Sequence, residues 1–298
     1  MICPYGEAAI EAAAALIATG QPVAVPTETV YGLAADATNG AAVASIYAAK
    51  GRPSFNPLIV HVETIEAAEK IAHFSDQARV LAKAHWPGPL TLVLPVREGS
   101  GIASLVTAGL STIAIRMPAH LAMQALLKAV GKPLAAPSAN ASGSISPTCA
   151  EHVMNSLSGR IPMIIDGGAC SVGLESTIVA VDADGLRLLR PGPVDLGLTL
   201  WTGGSVESPG QLASHYAPAK PLRLNAVFAD DNEWLIGFGA IVGDATLSSN
   251  GDLSEAAANL FAALHEADAS SKERIAVAPI PHTGLGTAIN DRLSRAAH

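Results

Sequence analysis

Cysteine is scarce in this chain: Cys3, Cys149 and Cys170 are the only three among 298 residues, and no two form a CxxC pair. That excludes a disulfide framework and a zinc knuckle. Aromatics make up only 4% and charged residues only 15%, against 49% hydrophobic residues, so the apolar bulk is Ala, Val, Leu and Ile. Such a mixture suits a buried sheet covered by Ala-rich helices. Gly (27) and Pro (20) are near ordinary usage, which excludes a disordered or collagen-like chain. There is no run of 18 apolar residues, so no membrane-spanning helix is expected. The opening MICPYGEAAIEAAAALIATG lacks a basic start and is interrupted by Glu7 and Glu11. It reads as an amphipathic helix rather than a secretory signal, and the cytoplasm is the expected compartment.

Familiar catalytic signatures are missing too. There is no GxxxxGK[ST] and no HExxH. The glycines at 237, 239 and 243 follow an apolar run, but residues 244–252 are polar and open no helix. They read as a strand end and a turn, not as a dinucleotide loop. Positive charge is short, with a net charge of −8. A chain of that charge is a poor general binder of nucleic acid. Any anion must be gripped by a few focused cations. Of the 18 Lys and Arg, 12 fall within residues 1–200.

What is present reads as two units. The length is that of about two average domains. Helical patterns are predicted at 5–19, 40–50, 64–72, 75–85, 119–130 and 147–157, and strands at 21–26, 58–62, 90–96, 113–117, 133–136, 163–166, 176–181 and 186–190. Between them, 27–39 reads as a polar loop. Strands and helices alternate early and strands cluster late, which predicts a mixed α/β sheet domain over 1–195. Residues 196–219 are rich in Gly, Pro and Ser and are read as a linker that doubles as a lid. Residues 220–298 read as a small α/β domain, with Ser254 capping a helix over 254–269 and a last helix over 285–297.

Five stretches carry the chemistry. Pro26-Thr-Glu-Thr-Val-Tyr-Gly32 follows a strand, where α/β sheets seat ligands, though alone it is an ordinary turn. Lys50-Gly-Arg52-Pro-Ser-Phe-Asn56-Pro-Leu-Ile-Val-His61 holds two cations, an amide and an imidazole within twelve residues. One cation at a helix end only complements its dipole. The whole group suggests an anionic substrate. Ser111-Thr112-Ile-Ala-Ile-Arg116 puts an arginine at the end of an apolar strand. There it either emerges into solvent or grips a carboxylate or phosphate with its fork. Ala136-Pro-Ser138-Ala-Asn140-Ala-Ser-Gly143-Ser144-Ile-Ser146-Pro147 is a dense run of small donors. It reads equally as a solvated loop or a phosphate cradle, with Ser146 as N-cap and Pro147 at the first helical position. The last runs from Asp166-Gly-Gly168 through Glu175-Ser176-Thr177 to Arg190.

In this order the five stretches resemble the YrdC-like family of threonylcarbamoyl-AMP synthases. The tail SHYAPAKPL and the residues after it resemble that family's longer, two-domain form. The resemblance implies a twisted mixed sheet enclosing a positively lined cavity, plus a small Rossmann-like C-terminal domain. The implied reaction joins L-threonine, bicarbonate and ATP into threonylcarbamoyl-AMP and pyrophosphate. The product serves adenosine 37 of tRNAs reading ANN codons through a downstream transferase. Magnesium would accompany ATP, with no metal ligand from protein side chains and no organic cofactor. The family's tetrad matches Lys50, Arg52, Ser138 and Asn140. By the same resemblance, Thr29, His61, Arg116, Ala136 (backbone) and Ser176 would hold threonine. Arg52, Asn56, Thr112, Ser138, Ser146 and Arg190 would hold ATP, and Tyr216 would cover it. Lys50 and Arg52 are both expected to be reachable from the cavity. Contact with tRNA is expected to be weak or indirect. Two alternatives stay open: a carbamoyl-transfer enzyme of the same fold, disfavoured by the lack of cysteine pairs, and a non-enzymatic RNA-binding module, disfavoured by the acidic charge.

Overall fold

The computed structural model describes residues 1–203, 207–210 and 215–298. The remainder of the expected linker, residues 204–206 and 211–214, lies outside the described residues. The chain opens with β1 (Ile2–Pro4), α1 (Glu7–Ala18), β2 (Val23–Val25), β3 (Gly32–Asp36), α2 (Gly40–Lys50) and β4 (Ile59–His61). Next come α3 (Ile65–Ile71), α4 (Asp76–His85), β5 (Leu90–Pro95), α5 (Ser104–Thr107), β6 (Thr112–Arg116) and α6 (Leu121–Val130). The first unit closes with β7 (Leu134–Ala135), α7 (Ala150–Leu157), β8 (Met163–Asp166), β9 (Thr177–Asp182) and β10 (Gly185–Arg190). These ten strands form one mixed sheet in the order β1-β8-β2-β3-β7-β4-β6-β5-β9-β10. After it, β11 (Leu222–Arg223), β12 (Glu233–Gly237), β13 (Ala245–Thr246), α8 (Leu253–Ala269), β14 (Arg274–Val277) and α9 (Leu285–Ala296) build the second unit. Its sheet runs β11-β14-β12-β13, with every pairing parallel. No helix among the described residues is long and apolar enough to cross a membrane.

Several expectations change. The loop expected at 27–39 contains β3, whose five residues are all buried. A strand of small residues covered on both faces has no alternating pattern to betray it. The opening residues form β1 before the helix starts, three residues being too few to show a period. The helix expected from Pro147 begins at Ala150, after Cys149, with no side-chain cap. The Ser146 hydroxyl is committed to Glu175, and the Pro147 carbonyl accepts the Tyr31 amide. Asp252, not Ser254, caps α8: its carboxylate accepts the Glu255 N–H at 2.7 Å. Both side chains could cap, and Asp252 also gains a backbone bond to the Ser248 hydroxyl.

The second unit is not a loose appendage. One apolar cluster joins Val30, Ile145 and Leu174 of the first unit to Phe261, Leu264 and Ile289 of the second. Gly173 lets the two backbones touch. It has φ +72°, and a Cβ there would lie 2.5 Å from the Cα and carbonyl oxygen of Ala258 in α8. Gly173→Ala is therefore expected to lower Tm by roughly 5 °C, since overpacking costs about 1–3 kcal/mol and a left-handed backbone about 1–2 more. Thermal unfolding checks it, and an unchanged Tm would mean that the units can part freely. The expected linker is also ordered where described. Leu200 bridges to Leu188, and Arg187 pairs with Glu207 at 2.9 Å and lies 5.4 Å from the Trp201 ring.

Candidate active site

The sheet brings the five stretches to one cavity. Strands β4 and β6 run parallel with His61 opposite Arg116, so the imidazole and the guanidinium share one face. The Ala136 amide donates to the Ile59 carbonyl, and the Leu33 amide to the Pro137 carbonyl. Gly32 bridges to Ser138. These bonds lay the Ser/Asn loop beside the Thr-Glu-Thr turn. The cavity is lined by Thr27, Thr29, Arg52, His61, Arg116, Ala136, Ser138, Glu175, Ser176, Arg190, His215 and Tyr216, with a few apolar neighbours. Nine of the residues singled out in the sequence therefore meet there. Thr27, Glu175 and His215 were not singled out, although each lies inside a stretch already recognised.

Arg116 does not emerge into solvent. It is 3% exposed, and every arm of its fork is engaged. Nε–H donates to the Gly88 carbonyl at 3.1 Å, Nη1 to the Thr29 hydroxyl at 2.8 Å and Nη2 to Glu28 at 2.6 Å. Glu28 is the partner that the cost of burying Arg116 demands, and it is one more residue that the sequence reading left without a role. Burial alone would raise the Glu28 carboxyl, but the guanidinium charge and hydrogen bonds of Arg116 outweigh it and hold the group below its ordinary value. Two N–H groups of the fork remain for a ligand.

Arg190 closes the opposite wall. Its Nε–H donates to the Ser176 carbonyl at 3.0 Å and Nη2 to the Ser176 hydroxyl at 3.1 Å. That hydroxyl also shares a hydrogen bond with Thr91. Arg52 holds the carbonyls of Asn56 and Pro57. Burial lowers its guanidinium to about 10, which still leaves it charged at neutral pH. Asn56 is buried, and neither of its amide atoms has a partner among the described residues.

The structure corrects the expectation for Lys50. It is 3% exposed and does not reach the cavity. Its ammonium donates to the carbonyls of Ser138 at 2.6 Å and Asn140 at 2.5 Å, directly behind the loop. Burial and the nearby Arg52 push its pKa well below the usual lysine value. Asn140 ties the same loop from within, donating to the carbonyls of Ala141 and Ser144. Ser146 is also behind the wall, its hydroxyl 2.5 Å from Glu175. Thr112 does not line the closed cavity. It opens β6 beside Pro95, four residues from Arg116, which is about 13 Å along a strand.

The roof comes from beyond the sheet domain. Tyr216 is 1% exposed and stands edge-on to His215 at 4.1 Å. A Cβ on Gly210 would lie 2.9 Å from Arg190 Cδ and 3.0 Å from the Tyr216 hydroxyl, so this segment rests directly on the arginine. The room left beneath is about 50 Å³, whereas pockets for sizeable ligands run to about 300–1,000 Å³. A ligand of nucleotide size enters only if the roof moves.

The imidazoles here are neutral. Burial lowers His61 and His215 to about 3, helped at His61 by Arg116; His152, lowered to about 4 by burial and by the stacked His265, behaves alike. The unfolded chain takes up these protons below about pH 6.5 while the folded one does not. Stability is therefore expected to fall as pH drops from about 6.5 towards 4. Thermal unfolding across that range checks this, and a constant or rising Tm would contradict the buried, neutral assignment.

Comparison with known proteins accords with this geometry. A Sua5/YciO/YrdC family profile, described as "Telomere recombination", matches residues 15–192. A second, "Threonylcarbamoyl-AMP synthase, C-terminal domain", matches residues 199–298. The chain is 41% identical to a threonylcarbamoyl-AMP synthase of Bacillus subtilis, over 97% of this chain and 92% of that protein. It is 38% identical to one of Pyrococcus abyssi, over 97% and 94%. The crystal structure of P. abyssi Sua5 complexed with L-threonine superposes with a TM-score of 0.92 at 37% identity, covering 100% of this chain and 97% of that one.

Proposed function

The chain belongs to the threonylcarbamoyl-AMP synthase family in its long, two-domain form, and we propose that its covered cavity joins L-threonine, bicarbonate and ATP. The threonine amine takes up bicarbonate with loss of water and becomes a carbamate. A carbamate oxygen attacks the α-phosphate of ATP, the bond to the β-phosphate breaks, and pyrophosphate leaves. No strong base is needed for the attack, because the nucleophile is already an anion. Catalysis rests on orientation and on offsetting charge. A single charge pair at about 4 Å is worth roughly 4 kcal/mol at an effective dielectric of 20, so three lining arginines weigh heavily.

The observation that carries this reading is the convergence of two unlike subsites under one roof: His61 beside Arg116, and Arg52, Ser138 and Arg190. The first suits an amino acid. The free N–H groups of Arg116 take its carboxylate, with Thr29, the Ala136 backbone and Ser176 around it. The second suits the nucleotide, with Asn56 gaining partners for its idle amide as ATP arrives. Lys50 and Asn140 act from behind, by holding the Ser138 loop against the phosphates, and Ser146 acts through Glu175. Thr112 keeps its place with the nucleotide, at the end of β6 away from the amino-acid subsite. Glu28 and Glu175 are already held by arginines, so a magnesium ion accompanying ATP would take its oxygen ligands from phosphates and water and would offset phosphate charge.

Residues 1–195 form the catalytic domain in this reading, 196–219 the strap and lid, and 220–298 the second domain. Tyr216 lifts to admit ATP and to release pyrophosphate. The product is a reactive mixed anhydride, consumed by a downstream enzyme that modifies tRNA in the cytoplasm. The test is pyrophosphate release from ATP, Mg2+ and bicarbonate with threonine, serine, glycine or no amino acid. Release is expected with threonine alone. Equal release with all four, or none, overturns the assignment.

A further inference from the structure

Arg292 belongs to α9 of the second domain, yet it is wholly buried against the catalytic cavity. Its Nε–H donates to Glu175 Oε2 at 2.8 Å, while the other oxygen of that carboxylate accepts from the Ser146 hydroxyl. Its Nη1 donates to Asp291 at 2.7 Å. Its Cζ lies 5.3 Å from the centre of the Tyr216 ring. Nη2 has no hydrogen-bond partner among the described residues.

A guanidinium buried only for stability is costly, and hydrophobic replacements of such pairs are often neutral or better. Here the three groups that it touches point to another use. Glu175 and Tyr216 line the cavity, and Asp291 ties the arginine to its own helix. The idle Nη2 means that its hydrogen-bonding capacity is not fully spent on the second domain. A cation over the face of a phenol is worth more once water is excluded, as it is here.

We infer that Arg292 is a positioning residue of the active site, supplied by the second domain: it fixes Glu175 and Ser146 below and latches the Tyr216 ring above. Roof closure then depends on a docked second domain. This gives that domain a task in the reaction that needs no contact with tRNA. The inference rests on the reading proposed above for the site, but its structural half can be tested apart from it.

The test uses Arg292→Met in the full chain, read in three ways. Hydrogen exchange at the Ala217 amide, which donates to the Gly143 carbonyl beside the roof, is expected to quicken at least tenfold. In threonine-dependent pyrophosphate release, KM for ATP is expected to rise at least fivefold. Threonine affinity measured without ATP is expected to stay within twofold, which a general loss of structure would not allow. If this variant fails to fold because Glu175 is left unpaired, Glu175→Gln/Arg292→Met removes both charges and carries the same expectations. Exchange and KM within twofold of the parent, in a folded variant, overturn the inference. So does a parallel loss of threonine binding. Should the parent itself release no threonine-dependent pyrophosphate, the functional reading fails, and the exchange rates alone still decide whether Arg292 latches the roof.

Discussion

Arg116→Lys is expected to weaken threonine binding about 100-fold while leaving ATP affinity within about twofold. The guanidinium makes three hydrogen bonds at once, to Gly88, Thr29 and Glu28, and still has two N–H groups to spare. An ammonium on a flexible stem has three donors and no plane. It can satisfy Glu28 or reach the ligand, but it cannot hold the turn and present a fork together. Hydrogen bonds to charged groups are worth about 1.5–3 kcal/mol each, and 1.4 kcal/mol is a factor of ten, so losing one strong bond or two weak ones, about 3 kcal/mol, gives about 100-fold. Charge is conserved, so Glu28 is not stranded and the fold should hold. Titration calorimetry with each substrate measures the split. Equal losses for both, or none for threonine, would remove Arg116 from the amino-acid subsite.

Lys50 and Arg52 are two residues apart and are expected to fail differently. Arg52→Ala should reduce turnover at least 100-fold and shift Tm by no more than a few degrees, because the side chain lines the cavity. Tyr47 still donates to the Asn56 carbonyl that Arg52 releases. Lys50→Met should lower both turnover and Tm. It leaves the carbonyls of Ser138 and Asn140 without their buried donor. Each such orphan costs about 1–3 kcal/mol, and the total corresponds to a Tm fall of about 5 °C or more. Steady-state kinetics and thermal unfolding on both variants make the comparison. A Lys50→Met protein with unchanged Tm would return that lysine to the cavity, where the sequence alone had placed it.

The difference between these two cations shows where reading the chain stops. Residue type and spacing mark Lys50, Arg52, Ser138 and Asn140 as one group, and the structure places them within one loop system. Which of them faces inward depends on carbonyls 88 and 90 positions away, and no local pattern records that. Arg116 was legible as a costly burial. Its partner Glu28 lay in a stretch already noted, so the demand for a counter-charge was the available signal. The Ser/Asn loop was legible as a cluster of donors. Its helix start was not, because Ser146 spends its hydroxyl on a distant carboxylate. Thr112 matched by motif position; it lies outside the closed cavity, at the opposite end of β6 from Arg116. Arg292 gave no signal at all: in NDRLSR it looks like any surface helix, and only tertiary packing turns it towards Glu175. The strand order of the ten-stranded sheet was likewise beyond local pattern, since only the alternation of elements is written along the chain.

The most direct measurement supplies 13C-bicarbonate with ATP, Mg2+ and threonine, and follows the nucleotide products by mass spectrometry. The account predicts a new adenylate carrying both threonine and one 13C atom, formed in step with pyrophosphate and absent when serine replaces threonine. An adenylate of threonine without the label, or pyrophosphate with no labelled nucleotide, would contradict it.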